Sequence, residues 1–171
     1  MIRPHRPEDA EPLRAAVLES VDEIGPWMPW CHPGYSPAEA HEWVTSCERK
    51  FREGTDFEFV ISNPAGDFLG VCGLNSINEA YRFANLGYWL RTSATGRGFA
   101  TAAVRQVIEF AFRQTNLARL EIVCAVGNHR SQRVAERVGA LREALLHDRL
   151  VLHGLAHDAV LYAVLRSRWA G

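Results

Sequence analysis

The chain has 171 residues, 47% of them hydrophobic and 23% charged, with a formal net charge of −1. This length fits one domain over 1–171, the apolar share is ample for a packed core and argues against disorder, and the near-neutral balance speaks against an extended nucleic-acid surface. No apolar run approaches the roughly 18 residues of a membrane span, and the first residues lack a basic-then-apolar signal pattern, so no membrane partner and a cytoplasmic location are expected.

Ile2 and Arg3 suit a short first strand. Pro7, Glu8 and Asp9 suit the first turn of a helix whose apolar face would be Leu13, Ala16, Val17 and Val21, broken at Gly25-Pro26. Ser36-Pro37-Ala38-Glu39 is a stronger start signal, a capping box with Ser as N-cap, Pro first and Glu third. Ala40, Trp43, Val44, Cys47 and Phe51 would form that helix's buried face, and Gly54 its end. Strands over 57–61 and 68–74 flank Asn63-Pro64-Ala65-Gly66-Asp67, a hairpin turn by composition. A strand over 84–90 leads into a glycine loop. A helix over about 100–115 follows, with Val104, Val107, Ile108, Ala111 and Phe112 on one face. After a strand over 120–126, Asn128 caps a short helix that Gly139 closes, and strands over 141–152 and 159–165 end the chain. The order β-α-α-β-β-β-α-β-α-β-β predicts an α+β fold with a mixed sheet, not strict βα alternation.

The stretch Gly87-Tyr88-Trp89-Leu90-Arg91-Thr92-Ser93-Ala94-Thr95-Gly96-Arg97-Gly98-Phe99-Ala100-Thr101 carries the most chemistry. It reads as a strand, a turn with two glycines one residue apart, and a helix start. A helix start offers N–H groups without intrahelical partners and the positive end of a dipole, which favour an anion. Glycines 96 and 98 let the backbone approach a phosphate, and Arg91, Arg97 and Arg105 add positive charge, so the segment reads as a pyrophosphate cradle. The plainer alternative is that both glycines only shape a tight turn. A Rossmann fingerprint is disfavoured because Thr101 stands at its third Gly/Ala position, and no Gly-Lys-Ser/Thr supports a Walker A loop. Cysteines 31, 47, 72 and 124 form no CxxC pair and the seven histidines no HExxH, so free thiols and no metal are expected.

The element order and the loop resemble the GNAT superfamily of acetyl-CoA-dependent N-acetyltransferases. The family's Arg/Gln-x-x-Gly-x-Gly/Ala signature matches Thr95-Gly96-Arg97-Gly98-Phe99-Ala100 except at Thr95. Trp27-Met28-Pro29-Trp30, Gly87-Tyr88-Trp89-Leu90, Asn128-His129-Arg130-Ser131 with Val138-Gly139-Ala140, and His157-Asp158-Ala159-Val160-Leu161-Tyr162 resemble the RimJ/RimL-type subgroup, which acetylates ribosomal-protein N-termini.

The resemblance implies direct attack of an amine on the acetyl thioester in a ternary complex, with pantetheine between splayed fourth and fifth strands. It places Trp89, Leu90, Arg91, Thr95 to Thr101, Asn128 and Ser131 at the cofactor. A backbone N–H near Trp89 or Leu90 would serve the oxyanion. Ser131 is the general-acid candidate, or else a first-turn serine bonding the backbone. Trp27, Trp30, Tyr81 and Asn85 would line the acceptor pocket, unless the tryptophans belong to the core. Carboxylates that relatives use as a base are replaced by Asn85 and Leu150. Glu79, Asp148, His147, His153 or a water remain for that role. The expected acceptor is a protein N-terminal α-amine. The alternatives are a small-molecule amine or a GNAT-like domain that binds acyl-CoA without catalysis. A homodimer is implied by analogy alone.

Overall fold

The strands β1 (Ile2–Pro4), β2 (Phe57–Ser62), β3 (Phe68–Asn78), β4 (Phe83–Leu90), β5 (Arg119–Ala125), β6 (Leu141–Leu152) and β7 (Leu155–Leu165) form one sheet in the computed structural model, which describes residues 1–169. Their spatial order is β1-β2-β3-β4-β5-β7-β6, and every neighbouring pair is antiparallel except the parallel pair β4 and β5. Helices α1 (Ala10–Glu19), α2 (Val21–Ile24), α3 (Pro37–Glu53), α4 (Phe99–Gln114) and α5 (His129–Arg137) flank it. The mixed α+β architecture is the one expected.

Two apolar cores sandwich the sheet. On one face α1 and α3 bury Leu13, Val17, Ala40 and Val44 against Val60, Val71 and Trp89. On the other, Val104, Val107, Ile108 and Ala111 of α4 meet Leu74, Leu86, Leu120, Ile122 and Tyr162. The alternation of these strand residues between faces follows from the two-residue period of a strand.

Helix α3 starts as its sequence predicts. Ser36 Oγ accepts from Glu39 N–H at 3.2 Å, Ser36 N–H donates to Glu39 Oε2 at 2.8 Å, and Gly54 ends the helix at φ +74°. Three expectations are corrected. The first helix splits at Ser20, whose Oγ donates back to the Ala16 carbonyl at 2.7 Å, a bond that bends helices. Val21 therefore belongs to the separate four-residue α2, and the element order gains one helix. Trp43 is 42% exposed instead of buried, because α3 leaves it at the rim of a polar cavity. Strand β7 begins at Leu155 rather than 159. Both His153 (φ +51°) and Gly154 (φ +80°) take positive φ, the two-residue turn that matches strand twist, so β6 and β7 form one tight hairpin.

Candidate active site

The parallel pairing of β4 with β5 lasts three residues, Phe83 to Arg119, Ala84 to Leu120 and Asn85 to Glu121, and then the strands part. Two bonds fix which groups face the gap. Arg91 N–H donates to Leu69 of β3 at 2.8 Å, and the Arg82 carbonyl accepts from Ala118 N–H at 2.7 Å on the β5 side. Backbone groups alternate sides along a strand. The N–H and C=O of Leu86, Tyr88 and Leu90 therefore point into the wedge, whereas those of Gly87 and Trp89 bond β3. On β5 the Val126 N–H donates to Asp158 at 3.0 Å, which turns the even residues to β7 and leaves Val123 facing the wedge. Of the two oxyanion donors expected from sequence, only the Leu90 N–H faces the gap.

A cavity of about 330 Å³ fills the wedge mouth. Its floor is Thr95, Gly96, Gly98, Ala100 and Thr101. Gly98 is the N-cap of α4 at φ +81°, Gly96 sits at φ +75°, and a Cβ on either would meet nothing within 4 Å. The glycines thus supply left-handed backbone and leave open space over the first-turn N–H groups, rather than avoiding a clash inside the protein. One wall is α5, from which Arg130, Arg133 and Arg137 reach the cavity. Their spacing of three and four residues puts the guanidinium groups on one helical face. Ile24, Trp27 and Met28 form the opposite wall, and a Cβ on Gly127 would lie 3.1 Å from the Trp27 ring.

The loop before the floor is clamped from α1 and α2. Arg91 Nε donates to Glu19 at 2.8 Å, Ser93 N–H donates to the same carboxylate at 2.8 Å, and Thr92 N–H donates to Ser20 Oγ at 3.0 Å. Thr92 Oγ1 also bonds Glu23. The Arg91 guanidinium and the Ser93 N–H hold the Glu19 carboxyl down at about 2.

At the inner end, Asn128 Oδ1 accepts from Ser131 N–H at 3.1 Å, capping α5. Ser131 Oγ donates to the Tyr88 hydroxyl at 3.0 Å, and that hydroxyl donates to the Ser131 carbonyl at 2.8 Å. This pair bridges β4 to α5 across the open wedge. Cys124 Sγ lies 3.1 Å from Ser131 Oγ. Burial raises the Tyr88 phenol well above its ordinary pKa and also raises the Cys124 thiol, so both stay protonated near neutrality.

The structure brings together Trp89, Leu90, Thr95, Gly96, Gly98, Ala100, Thr101, Asn128, Ser131 and Trp27. It does not bring in the rest. Arg91 is held by Glu19, and Arg97 lies 5.0 Å from the Phe99 ring with neither lining the cavity. Arg105 donates to the Arg137 carbonyl at 3.1 Å. Trp30 is 43% exposed with its ring edge-on to Trp89, Tyr81 is 79% exposed at the β3–β4 turn, and Asn85 lies outside the cavity lining. Leu150 is half-buried on β6 opposite His157. The base candidates are also elsewhere. His147 pairs with Asp158 at 3.0 Å, His153 Nε2 donates to the Gly25 carbonyl at 2.8 Å, and Glu79 and Asp148 are exposed. Tyr88 and the three α5 arginines were not among the expected site residues. The 130, 133, 137 spacing was readable, but not the direction its face takes.

The model of the GNAT acetyltransferase domain matches residues 1–141. The chain belongs to the GNAT acetyltransferase family. It is an acyltransferase. YdaF of Bacillus subtilis strain 168, provisionally named for ribosomal N-acetylation, is 31% identical over 99% of this chain and 93% of its own. The ribosomal-protein-serine acetyltransferase of Escherichia coli K12 is 33% identical over 57% of this chain and 54% of its own. RimJ of Mycobacterium smegmatis, solved with a CoA disulfide, superposes with a TM-score of 0.87 at 29% identity over 99% of this chain and 83% of its own. Among the described residues no helix is long and apolar enough to cross a membrane, and no cluster of His, Cys, Asp or Glu suits a metal ion.

Proposed function

We propose that this acetyltransferase moves an acetyl group from acetyl-CoA to the N-terminal α-amine of a protein or peptide. The observation that carries this reading is the wedge, with unpaired strand groups inside and a cationic, glycine-floored mouth. The groups present fit acetyl-CoA. Gly96 and the first-turn N–H groups of α4 would take the pyrophosphate, as a helix N-terminus does. Arg130, Arg133 and Arg137 would take further phosphate charge, with bidentate geometry available to each guanidinium. Tyr88, Leu90 and Val123 offer backbone groups to the pantetheine amides. The RimJ neighbour was solved with a CoA disulfide, which supports this assignment.

Acetyl-CoA supplies an activated acyl group and a thiolate leaving group. Leu90 N–H would stabilise the oxyanion, a donor typically worth about 3 kcal/mol. The net transfer is proton-neutral once the amine is neutral, because its N–H proton ends on sulfur. Ser131, whose hydroxyl donates to Tyr88 in the free site, would turn that proton to the sulfur and be reprotonated by the proton the amine loses. An α-amine with an ordinary pKa near 8 is about a tenth neutral at pH 7, far more than a lysine side chain. Glu23 is the one carboxylate among the described residues lining the cavity, and it bonds the Thr92 hydroxyl, so an acceptor that needs little help from a base suits the site. Helices α4 and α5 fill one face of the wedge, so the acceptor enters from the other. There β4 presents Asn85, Gly87 and Trp89.

The test is acetyl-CoA turnover with a panel of N-terminal peptides, the same peptides with blocked α-amines, and small amines such as polyamines. Turnover confined to free α-amines supports the reading. Turnover of small amines alone would replace the acceptor class. Intact acetyl-CoA binding with no turnover of any amine would make the domain an acyl-CoA-binding module.

A further inference from the structure

On the α1/α3 face of the sheet, three polar side chains cross from β2 to the apex of the wedge. Glu58 on β2 accepts from Asn75 Nδ2 at 3.0 Å, and Asn75 Oδ1 accepts from Asn85 Nδ2 at 3.0 Å. Burial raises the Glu58 carboxyl pKa, and the hydrogen bond from Asn75 opposes that shift. In its ionised form Glu58 only accepts, so Asn75 turns its NH₂ towards Glu58 and its oxygen towards Asn85. Asn85 then gives its NH₂ to Asn75, and its Oδ1 is left with no hydrogen-bond partner among the described residues. The backbone is built around this chain. A Cβ on Gly73 would lie 2.2 Å from Glu58 Oε2 and 2.6 Å from the Phe57 carbonyl oxygen, so glycine there clears both the strand and the carboxylate. A Cβ on Gly87 would lie 3.7 Å and 3.8 Å from the amide nitrogens of Asn75 and Asn85, so the amides abut the bare strand where the wedge opens.

Glu58 has no ion pair among the described residues. The nearby Lys50 is bound to Asp56 at 2.7 Å. Glu58 and Asn75 also border a second cavity of about 290 Å³, with Trp43 and Ser46 on its α3 side. A half-buried carboxylate with no cation beside it costs stability unless hydrogen bonds compensate, which marks it as kept for a purpose other than folding.

We propose that Glu58, acting through Asn75, fixes Asn85 with its side-chain oxygen towards the acceptor, where it accepts a hydrogen bond from a backbone N–H of the acceptor peptide, about 16 Å along β4 from the Leu90 N–H that would hold the oxyanion. This rests on the acceptor placement proposed above. Asn85 touches the substrate, whereas Glu58 and Asn75 are positioning residues. The acceptor class is a peptide long enough to reach from the thioester at Leu90 back to Asn85, which a small amine does not do.

Three variants test it: Glu58→Gln, Asn85→Asp and the two combined. Glu58→Gln leaves the amides free to flip and is expected to lower kcat/KM for the acceptor about 10- to 100-fold, mostly through KM, with acetyl-CoA affinity unchanged. That is the cost of leaving one hydrogen-bonding group unpaired. Asn85→Asp sets two acceptors against one Asn75 amide and also loses activity. In the double variant the chain runs in reverse, from an amide on β2 through Asn75 to a carboxylate on β4, and activity returns to within about threefold of wild type on the same scale. A double variant that shows the product of the two losses would overturn the proposal. So would a Glu58→Gln protein that melts lower but keeps its acceptor KM. Side-chain amide resonances read the chain without activity. Those of Asn85 are expected to move in Glu58→Gln, and unmoved resonances refute the relay. A wild type that acetylates no amine while those resonances still move would overturn the acceptor placement and leave the relay standing.

Discussion

Gly98→Ala separates what the glycine does for folding from what it does for the ligand. Gly98 sits at φ +81° and a Cβ there meets nothing within 4 Å, so the cost inside the protein is backbone strain alone. An alanine in left-handed backbone costs about 1–2 kcal/mol. For a domain of this size that is a fall in Tm of about 2–8 °C. Gly154 is a matched control: φ is +80°, its Cβ also meets nothing within 4 Å, and it lies in the β6–β7 turn. Gly154→Ala is expected to lose the same stability. Only Gly98→Ala puts a methyl over the first-turn N–H groups of α4. Displacing one charge-assisted bond there weakens acetyl-CoA about 10- to 100-fold. Calorimetric titration of acetyl-CoA into the three proteins, with melting curves alongside, reads both effects. Equal acetyl-CoA affinity in wild type and Gly98→Ala, at the expected Tm loss, would refute the cradle.

Ser131→Ala is expected to lower kcat about 10- to 1,000-fold with little change in acetyl-CoA affinity, and Tyr88→Phe to lower it less because it removes the brace and not the donor; stopped-time assays with saturating donor compare them. Arg133→Glu reverses one charge of the α5 face and is expected to raise the Kd for acetyl-CoA more at low salt than at high, since screening weakens exposed charge interactions; binding isotherms at two ionic strengths check this. The Glu19 carboxyl, held at about 2 against an ordinary 4.5, favours the folded state above about pH 4.5 and loses that contribution as pH falls through about 2. The melting gap between wild type and Glu19→Gln is therefore expected at neutral pH and closes across that window, and a gap that is flat with pH would remove Glu19 as the clamp on the 91–93 loop.

Local signals in the sequence located nearly every element. The capping box set the start of α3, Asn128 the start of α5, and the 104–112 stripe the buried face of α4. What escaped was decided at long range. Arg91 looked like a phosphate ligand because it precedes the glycine loop, but its partner Glu19 stands 72 residues away in the chain. Ser20 splits the first helix by a hydroxyl bond that no propensity reveals, and the same hydroxyl anchors Thr92. Tyr88 lay inside a quoted motif, yet its partnership with Ser131 depends on how far β4 and β5 part. Glu58, Asn75 and Asn85 are separated by 17 and 10 residues and meet only through strand register.

A melting curve with and without acetyl-CoA tests most directly whether it occupies the wedge, with NAD as the control nucleotide. Saturation to about 100 times Kd adds about 2.7 kcal/mol, a rise in Tm of about 5–11 °C for a chain of this length. That rise with acetyl-CoA and none with NAD is the predicted result. No rise, or the same rise with NAD, would contradict the claim that the parted strands and the glycine floor form an acyl-CoA site.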